Sequence, residues 1–311
     1  MSGSLKGRDF VSIHDYTSEE IQLIFDVTRI LKAEERMGIR KPILKDKNLA
    51  MIFQKSSTRT RVSFEIGMNQ MGGKALFLSS NDIQLNRGET IADTASVLSR
   101  YVDGIMARVF EHQNILDLAK FSNVPVINGL SDFLHPCQAM ADFYTMLEKR
   151  GFLKGLHLVY IGDSNNVSNS LMMAAAKTGV NLTICSPGGH EPSQQIMDWY
   201  HMDSIDTGSS FTLKSDPIES VRTADFIYTD VWASMGQEKE AEERKKIFAP
   251  YQINAQLMSK APPQALVLHC LPAHRGEEIT DDVIDSPQSV VFDEAENRLH
   301  VQKAIMALLM S

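Results

Sequence analysis

The sequence predicts an α/β protein of two domains, each a mostly parallel sheet flanked by helices. The 311 residues include 43% hydrophobic and 23% charged side chains, which is ordinary for a globular chain of two domains. From Asn48 onward, short apolar runs alternate with longer segments in which apolar residues recur three or four positions apart. This alternation of strand and helix patterns is typical of parallel sheets that are covered on both faces.

Each element follows from its own pattern. The apolar runs predict strands at residues 48–53, 104–109, 124–128, 156–161, 181–185, 225–229 and 265–271. Helical spacing between them predicts helices at 61–71, 89–101, 138–149 and 168–178. Two further amphipathic stretches, 18–36 and 294–310, lie at opposite ends of the chain. Each is long enough to bridge two domains or to pack against one, and periodicity leaves both alternatives open.

The domain boundary is predicted from a helix end. The helix over 138–149 closes with basic residues and Gly151, which is a typical C-terminal stop, and the next strand begins only near Leu156. We therefore expect one domain to end at residue 150 and the next to begin at residue 151.

Charge and cysteine content exclude several classes of function. The chain has 31 basic and 39 acidic residues, a net charge of −8, so it has no broad positive field for nucleic acid or anionic lipid. Cys137, Cys185 and Cys270 form no CxxC pair, which favours a reduced compartment. The N-terminus lacks the apolar core of a signal peptide, and no apolar run approaches the roughly 18 residues of a membrane span. We expect a cytoplasmic protein.

The first candidate site is the segment KSSTRTRVSFE at 55–65, directly after a predicted strand. Ser57 or Thr58 fits the N-cap of the following helix. Arg59 and Arg61 then fall in the first turn, where cations oppose the helix macrodipole. A bound anion would reverse that conflict, because free backbone N–H groups, hydroxyls and a guanidinium all favour it. The alternative is a capped helix whose arginines turn to solvent or to a carboxylate.

The second candidate is LHPCQ at 134–138, which also follows a strand and precedes a helix. Proline suits a first helical turn, so His135 and Gln138 are both expected near the helix start. Ligands of open α/β sheets gather at the carboxyl ends of strands, which favours a binding role. A lone histidine is nevertheless more often a surface residue or a satisfied core residue.

The third candidate is HCLPAHRGEE at 269–278, again at the end of a strand. Cys270 could be a nucleophile, a ligand or an inert small hydrophobe. His269 and His274 have no carboxylate at the usual zinc spacing, so we expect no metal site.

Two weaker signals follow other strands. The segment IGDSNNVSN at 161–169 has one glycine where a dinucleotide fingerprint needs three, so NAD is not expected. Its Asp163, Asn165 and Asn166 still offer polar groups at a strand end. The segment DVWASMG at 230–236 supplies an acid, a hydroxyl and a glycine, and an ordinary turn would explain it equally well.

Taken together, the order SSTRTR, MAR, HPCQ, DVWASMG, HCLPAHRGEE and AENR resembles the carbamoyltransferase family, and within it the ornithine-specific members. The resemblance runs from LKGRDF at 5–10 to the final helix. It implies that the N-terminal domain, 1–150 with 293–311 returning to it, binds carbamoyl phosphate, and that 151–292 binds the amino acid.

The resemblance also implies individual roles. Carbamoyl phosphate would be bound by Ser57, Thr58, Arg59, Thr60, Gln84, Arg108, His135, Gln138, Cys270, Leu271 and Arg298. Ornithine would be bound by Asn166, Asp230, Ser234 and Met235. The catalytic residues would be Arg59, Arg108, His135, Asp230 and Cys270. Gln84 matches a position that reaches a neighbouring subunit's site, which implies a homotrimer or a multiple of one.

The activity that the resemblance implies is transfer of the carbamoyl group to the side-chain amine of ornithine, giving citrulline and phosphate in arginine metabolism. No cofactor and no metal are expected. Putrescine is an alternative acceptor, although it has no α-carboxylate to bind. A non-catalytic regulator that binds a phosphate metabolite on the same fold is the alternative outside enzymes. One position departs from the family pattern, since Cys137 stands where threonine is common, and we expect no loss of binding from it.

Overall fold

A computed structural model describes residues 4–79, 88–233 and 240–311. The chain divides into two compact units, one of residues 1–140 with 296–311 and one of residues 141–295. The domain limits at 150 and 293 stay a prediction. Within the described ranges, no helix is both long enough and apolar enough to cross a membrane.

The first unit is built on a four-stranded parallel sheet in the order β2-β1-β3-β4. Its strands are β1 (Asn48–Phe53), β2 (Lys74–Ser79), β3 (Gly104–Arg108) and β4 (Val126–Leu130). The helices that accompany them are α1 (Ser18–Arg36), α2 (Thr58–Gln70), α3 (Ile91–Leu98) and α4 (His112–Phe121), and α5 (Pro136–Arg150) follows β4. The central strands are buried, and the side chains of Ile52 and Ile105 belong to one apolar cluster.

The second unit is built on a five-stranded parallel sheet in the order β7-β6-β5-β8-β9. Its strands are β5 (His157–Ile161), β6 (Asn181–Cys185), β7 (Phe211–Lys214), β8 (Phe226–Thr229) and β9 (Leu266–His269). Its helices are α6 (Asn166–Thr178), α7 (Gln194–Asp203), α8 (Pro217–Val221), α9 (Ala241–Phe248), α10 (Ala255–Met258) and α11 (Asp281–Ile284), and α12 (Val291–Met310) closes the chain. The two parallel sheets with their helices confirm the predicted fold class.

Side chains at the helix starts explain why the helices begin where they do. Thr17 caps α1 in a capping box with Glu20, and Ser57 caps α2. Asn165 caps α6, which ends at Gly179 in the left-handed conformation that glycine adopts readily. The sequence interpretation missed β2 and β7 because both are edge strands without a fully buried residue.

The last helix, α12, returns to the first unit, as the resemblance implied. Lys303 Nζ donates to Gln70 Oε1 of α2 at 2.9 Å. Lys32 Nζ of α1 donates to Asn297 Oδ1 at 2.6 Å, and both side chains are buried. The part of α12 from residue 297 onward therefore packs within the first unit.

Strand order places a crevice at one edge of each sheet. In the first unit the chain moves from β1 outward to β2 on one side and to β3 on the other, and Phe53 at the end of β1 lies opposite Arg108 at the end of β3. In the second unit the same reversal falls between β5 and β8, where Ile161 lies opposite Thr229. Ligands of open α/β sheets bind at such reversals.

Candidate functional site

Polar side chains gather at the strand ends of each unit and form two groups. The anion cluster of the first unit comprises Ser57, Arg59, Thr60, Arg108, His135, Gln138 and Arg298. The carboxylate cluster of the second unit comprises Asn165, Asp230, His269, Cys270, Leu271 and Glu294.

The start of α2 supplies the first part of the anion cluster. Ser57 Oγ accepts the N–H of Thr60 at 3.3 Å, so the hydroxyl satisfies a helix-end donor. The two arginines of this turn behave differently. Arg61 is exposed, pairs with Glu65 at 3.4 Å and stacks on a neighbouring aromatic ring. Arg59 is half-buried and close enough to His135 to act on its pKa. Among the residues that the structure describes, the carboxylate-paired alternative therefore applies to Arg61 and not to Arg59.

The ends of β1 and β3 supply the second part. The N–H of Gln54 donates to the carbonyl of Arg108 at 2.9 Å, which fastens the residue after β1 to the last residue of β3. Arg108 is thereby fixed at the crevice between the two strands, near the start of α2. Thr58 is the first residue of α2 and is exposed at the same edge.

Arg298 of α12 supplies the third part, and it is buried. Its NH1 donates to Gln138 Oε1 at 2.5 Å, and its NH2 donates to Thr60 Oγ1 at 3.1 Å. One guanidinium therefore joins three helices, since Gln138 lies on α5 and Thr60 on α2.

His135 lies directly before α5, and its carbonyl accepts the N–H of Ala139 at 3.2 Å. Burial lowers the pKa of its imidazole well below the ordinary value, and the charges of Arg298, Arg108 and Arg59 lower it further. The imidazole is therefore neutral near pH 7. A neutral imidazole has one N–H donor, which can bind a carbonyl oxygen without adding positive charge.

Cys137, the departure from the family pattern, is buried two residues after His135, and its compatibility with binding stays a prediction. Its thiol donates to the carbonyl of Asn128 at 3.4 Å, the role that a hydroxyl would take. Burial raises the pKa of the thiol to about 12, so it stays protonated.

In the second unit, Asp230 follows β8 and is the centre of the carboxylate cluster. Its Oδ1 accepts the N–H of Val231 at 2.8 Å and the thiol of Cys270 at 3.0 Å. Its Oδ2 accepts from Asn165 Nδ2 at 2.8 Å. Residues that follow β5, β8 and β9 are thus joined on one carboxylate.

Asn165 is a residue whose contact the sequence interpretation missed, because the resemblance points to its neighbour Asn166. Asn165 uses its side-chain oxygen to cap α6 and its side-chain nitrogen to hold Asp230. Asn166 is the first residue of α6 and is half-buried. The available signal was the asparagine placed directly before a helix, which is a typical N-cap.

His269, the last residue of β9, is buried and holds the backbone of the segment that follows the strand. Its Nδ1 accepts the N–H of Leu271 at 2.9 Å, so the ring proton lies on Nε2, which donates to Glu278 Oε1 at 3.1 Å. Its backbone N–H donates to Glu294 Oε2 at 2.9 Å. Leu271 has a positive φ of 55° and a cis peptide bond to Pro272.

Cys270 is a protonated thiol. Desolvation raises its pKa well above the ordinary value, and the negative charges of Asp230, Glu294 and Asp142 raise it further. Thiolate is the nucleophilic form of cysteine, so these surroundings argue against a covalent role for Cys270. The thiol acts instead as a hydrogen-bond donor to Asp230.

Two groups of side chains among the described residues have ligand atoms close enough together to hold a metal ion. They are Asp230, His269 and Cys270, and His274, Glu277 and Glu278, with ligand atoms within 4.8 Å of one another in each group. In the first group both ring nitrogens of His269 and the thiol are already hydrogen-bonded. In the second, Glu277 pairs with Lys245 at 3.0 Å. The absence of a metal site stays a prediction.

Three residues that the resemblance names lie outside the described residues. They are Gln84, Ser234 and Met235.

Comparisons with known proteins cover almost the whole chain. Residues 8–148 match the family described as aspartate/ornithine carbamoyltransferase, carbamoyl-P binding domain, and residues 154–309 match its Asp/Orn binding domain. The chain is 59% identical to the ornithine carbamoyltransferase of Thermococcus kodakarensis, over 99% of this chain and 98% of that protein. It is 58% identical to a protein of Pyrococcus furiosus named ornithine carbamoyltransferase, anabolic, over 99% and 98%. A solved structure of the ornithine carbamoyltransferase from Pyrococcus furiosus superposes with a TM-score of 0.96, covering 99% of both chains at 57% identity.

Proposed function

Because this chain belongs to the aspartate/ornithine carbamoyltransferase family, we propose that its two clusters transfer the carbamoyl group of carbamoyl phosphate to the side-chain amine of L-ornithine. The products are L-citrulline and phosphate. The relative named as anabolic favours arginine synthesis as the direction.

The observation that carries the proposal is a neutral, buried His135 in the field of three arginines. Carbamoyl phosphate offers a dianionic phosphate and a polarisable carbonyl side by side. Arg59, the N-terminus of α2 and the Ser57 and Thr60 hydroxyls suit the phosphate, because backbone N–H groups and a guanidinium both favour an anion. Arg108 and His135 suit the carbonyl oxygen as charge develops on it.

Gln138 and Arg298 complete the proposed carbamoyl phosphate site. Arg298 NH1 donates to Gln138 Oε1 at 2.5 Å, so the two side chains hold each other in place. Thr58 joins through its place in the first turn of α2. Cys270 and Leu271 keep their proposed role in carbamoyl phosphate binding from the resemblance alone.

The carboxylate cluster suits a cationic amino acid. Asp230 offers a carboxylate to an ammonium group, and Asn166 at the start of α6 offers an amide to the α-carboxylate. Ser234 and Met235 keep their proposed role in ornithine binding from the resemblance alone.

The reaction needs no covalent intermediate on the enzyme, since the carbamoyl group arrives already activated. Attack of the ornithine amine forms a tetrahedral centre, and collapse of that centre expels phosphate. Catalysis is then mostly orientation and charge stabilisation. Arg59 and Arg108 stabilise the charge on the departing phosphate.

The attacking amine must first lose a proton. An alkylamine with a pKa near 10.4 lies roughly 3.4 units above pH 7, which corresponds to roughly 4.6 kcal/mol. Asp230 and Cys270 would position that amine. A neutral thiol is a suitable second neighbour because it adds no negative charge to that of Asp230 and so does not stabilise the protonated amine further.

We also propose that the protein works in the cytoplasm as a homotrimer or a multiple of one, in which Gln84 reaches a neighbouring site. The first unit supports this with apolar residues that stand exposed on α2 and β2, among them Val62, Ile66 and Leu76. Light scattering after gel filtration tests the assembly, since a trimer has three times the mass of one chain.

A single assay tests the function. Purified protein is incubated with carbamoyl phosphate and, in parallel, with ornithine, putrescine or aspartate, and the carbamoylated product and phosphate are both measured. Ornithine should be the preferred acceptor by a wide margin. Preference for putrescine would reassign the acceptor, and absence of phosphate release with all three would favour a binding protein.

A further inference from the structure

The geometry of the anion cluster depends on the orientation of the Arg298 guanidinium. Gln302, one turn further along α12, contacts that guanidinium. Gln302 is fully buried within the first unit. Only one orientation of its amide satisfies both of its neighbours. In that orientation Gln302 Oε1 accepts from Arg298 Nε and from Arg298 NH2, both at 3.0 Å, and Gln302 Nε2 donates to Ser63 Oγ at 2.5 Å.

These contacts fix the plane of the guanidinium. Nε and NH2 lie on one edge of the group, so one oxygen that accepts from both holds that edge. Gln138 and Thr60 hold other donors of the same group. Ser63 in turn holds Gln302, and it lies on α2 in the same helix as Thr60.

The chemistry of Gln302 matters as much as its place. A buried carboxylate at this position would form an ion pair with Arg298 and cancel much of its charge. An amide orients the guanidinium and leaves its charge intact. Gln138, Thr60 and Gln302 are all neutral, so each of these three partners orients Arg298 without neutralising it.

We propose that Gln302 is a positioning residue that aims the Arg298 guanidinium at carbamoyl phosphate while preserving its positive charge. This inference rests on the proposed function, because it assigns Gln302 to the binding of that substrate. It places the contribution in the affinity for carbamoyl phosphate and not in the affinity for ornithine.

The decisive variant is Gln302→Met, which keeps the length of the side chain and removes the acceptor. We expect the KM for carbamoyl phosphate to rise about tenfold, as for loss of hydrogen bonds to a charged group. The KM for ornithine should stay near that of the wild type, whereas the melting temperature should fall, because buried donors of Arg298 lose their acceptor. An unchanged KM for carbamoyl phosphate would overturn the proposal, since a residue with a packing role alone tolerates methionine.

Gln302→Glu tests the second half of the proposal. It keeps an acceptor oxygen but adds a charge that pairs with Arg298. We expect weaker carbamoyl phosphate binding and an acid limb of the pH–rate profile that moves to higher pH, because Arg298 is one of the charges that lower the pKa of His135. Wild-type affinity in this variant would show that the neutrality of Gln302 is irrelevant.

Gln70→Met is the matched control. Gln70 is also an amide that bonds a cation of α12, Lys303, but no described contact joins it to the anion cluster. Its KM values should equal those of the wild type. Calorimetric binding of phosphonoacetamide, a stable analogue of carbamoyl phosphate, to wild type and Gln302→Met separates this inference from the proposed function. Tenfold weaker binding would support it even if ornithine were not the acceptor, and equal binding would refute it.

Discussion

The anion cluster and the carboxylate cluster each keep one titratable group neutral, but their surroundings have opposite charge. In the first unit His135 is neutral because burial and three arginines oppose a further positive charge. In the second unit Cys270 is neutral because burial and nearby carboxylates oppose a negative one. Burial is the larger cause in both. Desolvation is therefore the main reason that His135 and Cys270 are both neutral. We infer that the sign of the surrounding charge determines which substrate each cluster binds.

Two clusters of opposite charge can bind an anionic and a cationic substrate separately, which a single charged pocket could not do. In the proposed mechanism, positive charge attracts the phosphate, and the neutral imidazole can still donate a hydrogen bond to the carbonyl. Negative charge attracts the amino acid, and the neutral thiol does not compete with it as a nucleophile. Substituting one member of one cluster should therefore alter the kinetics for its own substrate and leave the affinity for the other substrate unchanged.

The largest effect is expected from Arg59→Ala. Removing this guanidinium should lower kcat/KM for carbamoyl phosphate about a thousandfold, the scale found when an arginine that stabilises a phosphoryl group is lost. Initial rates against carbamoyl phosphate concentration measure it. Arg61→Ala is the matched control from the same helical turn, because Arg61 already pairs with Glu65. Equal losses in the two variants would mean that the phosphate lies elsewhere.

Asp230→Asn removes one carboxylate charge from the other cluster and preserves the shape of the side chain. The KM for ornithine should rise about a hundredfold, since the ammonium loses its carboxylate partner. The affinity for carbamoyl phosphate should not change. The pKa of Cys270 should also fall back toward its ordinary value, because Asp230 is the first charge that raises it. Alkylation of the thiol at increasing pH measures this, and an unshifted profile would contradict the assigned cause.

Cys270→Ala is expected to have a smaller effect. Asp230 loses the thiol donor at 3.0 Å, and kcat/KM for ornithine should fall about tenfold. Binding of carbamoyl phosphate should survive. Cys185→Ala offers a control in the same unit, because Cys185 belongs to the apolar core and its loss should lower stability instead. Unchanged kinetics for Cys270→Ala would remove the thiol from the positioning of the amine.

Most of the fold could be predicted because its signals are local. The apolar stripe over 18–36 coincides with α1, and the buried central strands follow from continuous apolar runs. The edge strands β2 and β7 were not predicted, because their residues are partly exposed and do not form continuous apolar runs. Pairing order also lies beyond a sequence pattern, since it depends on contacts between distant segments.

The candidate site divides along the same line. The segments at 55–65 and 134–138 both have the local pattern of a helix start beside a strand end. Arg298 joins Thr60 of the first segment to Gln138 of the second. The position of Asn165 directly before a helix pattern predicts its capping role, but nothing local in the sequence predicts its hydrogen bond to Asp230. Gln302 carried none, because its partner Ser63 is on another helix far away in the chain.

His300, on α12, is a second buried imidazole of the first unit. Burial and the charges of Lys32 and Lys303 lower its pKa to about 4. The folded state therefore binds fewer protons than the unfolded state between about pH 4 and 6.5. Stability should fall as pH drops through that window, by at most about 3 kcal/mol for this residue.

His300→Gln should flatten this slope, which urea unfolding between pH 4.5 and 7 would measure. Exposed His201→Gln in the second unit is the control and should leave the slope as it is. The pH–rate profile is measured for the same variants over the same pH range. If the acid limb of the rate profile stays in place in His300→Gln while the stability slope changes, acid inactivation arises at His135. If both move together, unfolding of the first unit causes the loss, and the neutrality of His135 has no kinetic role above that pH.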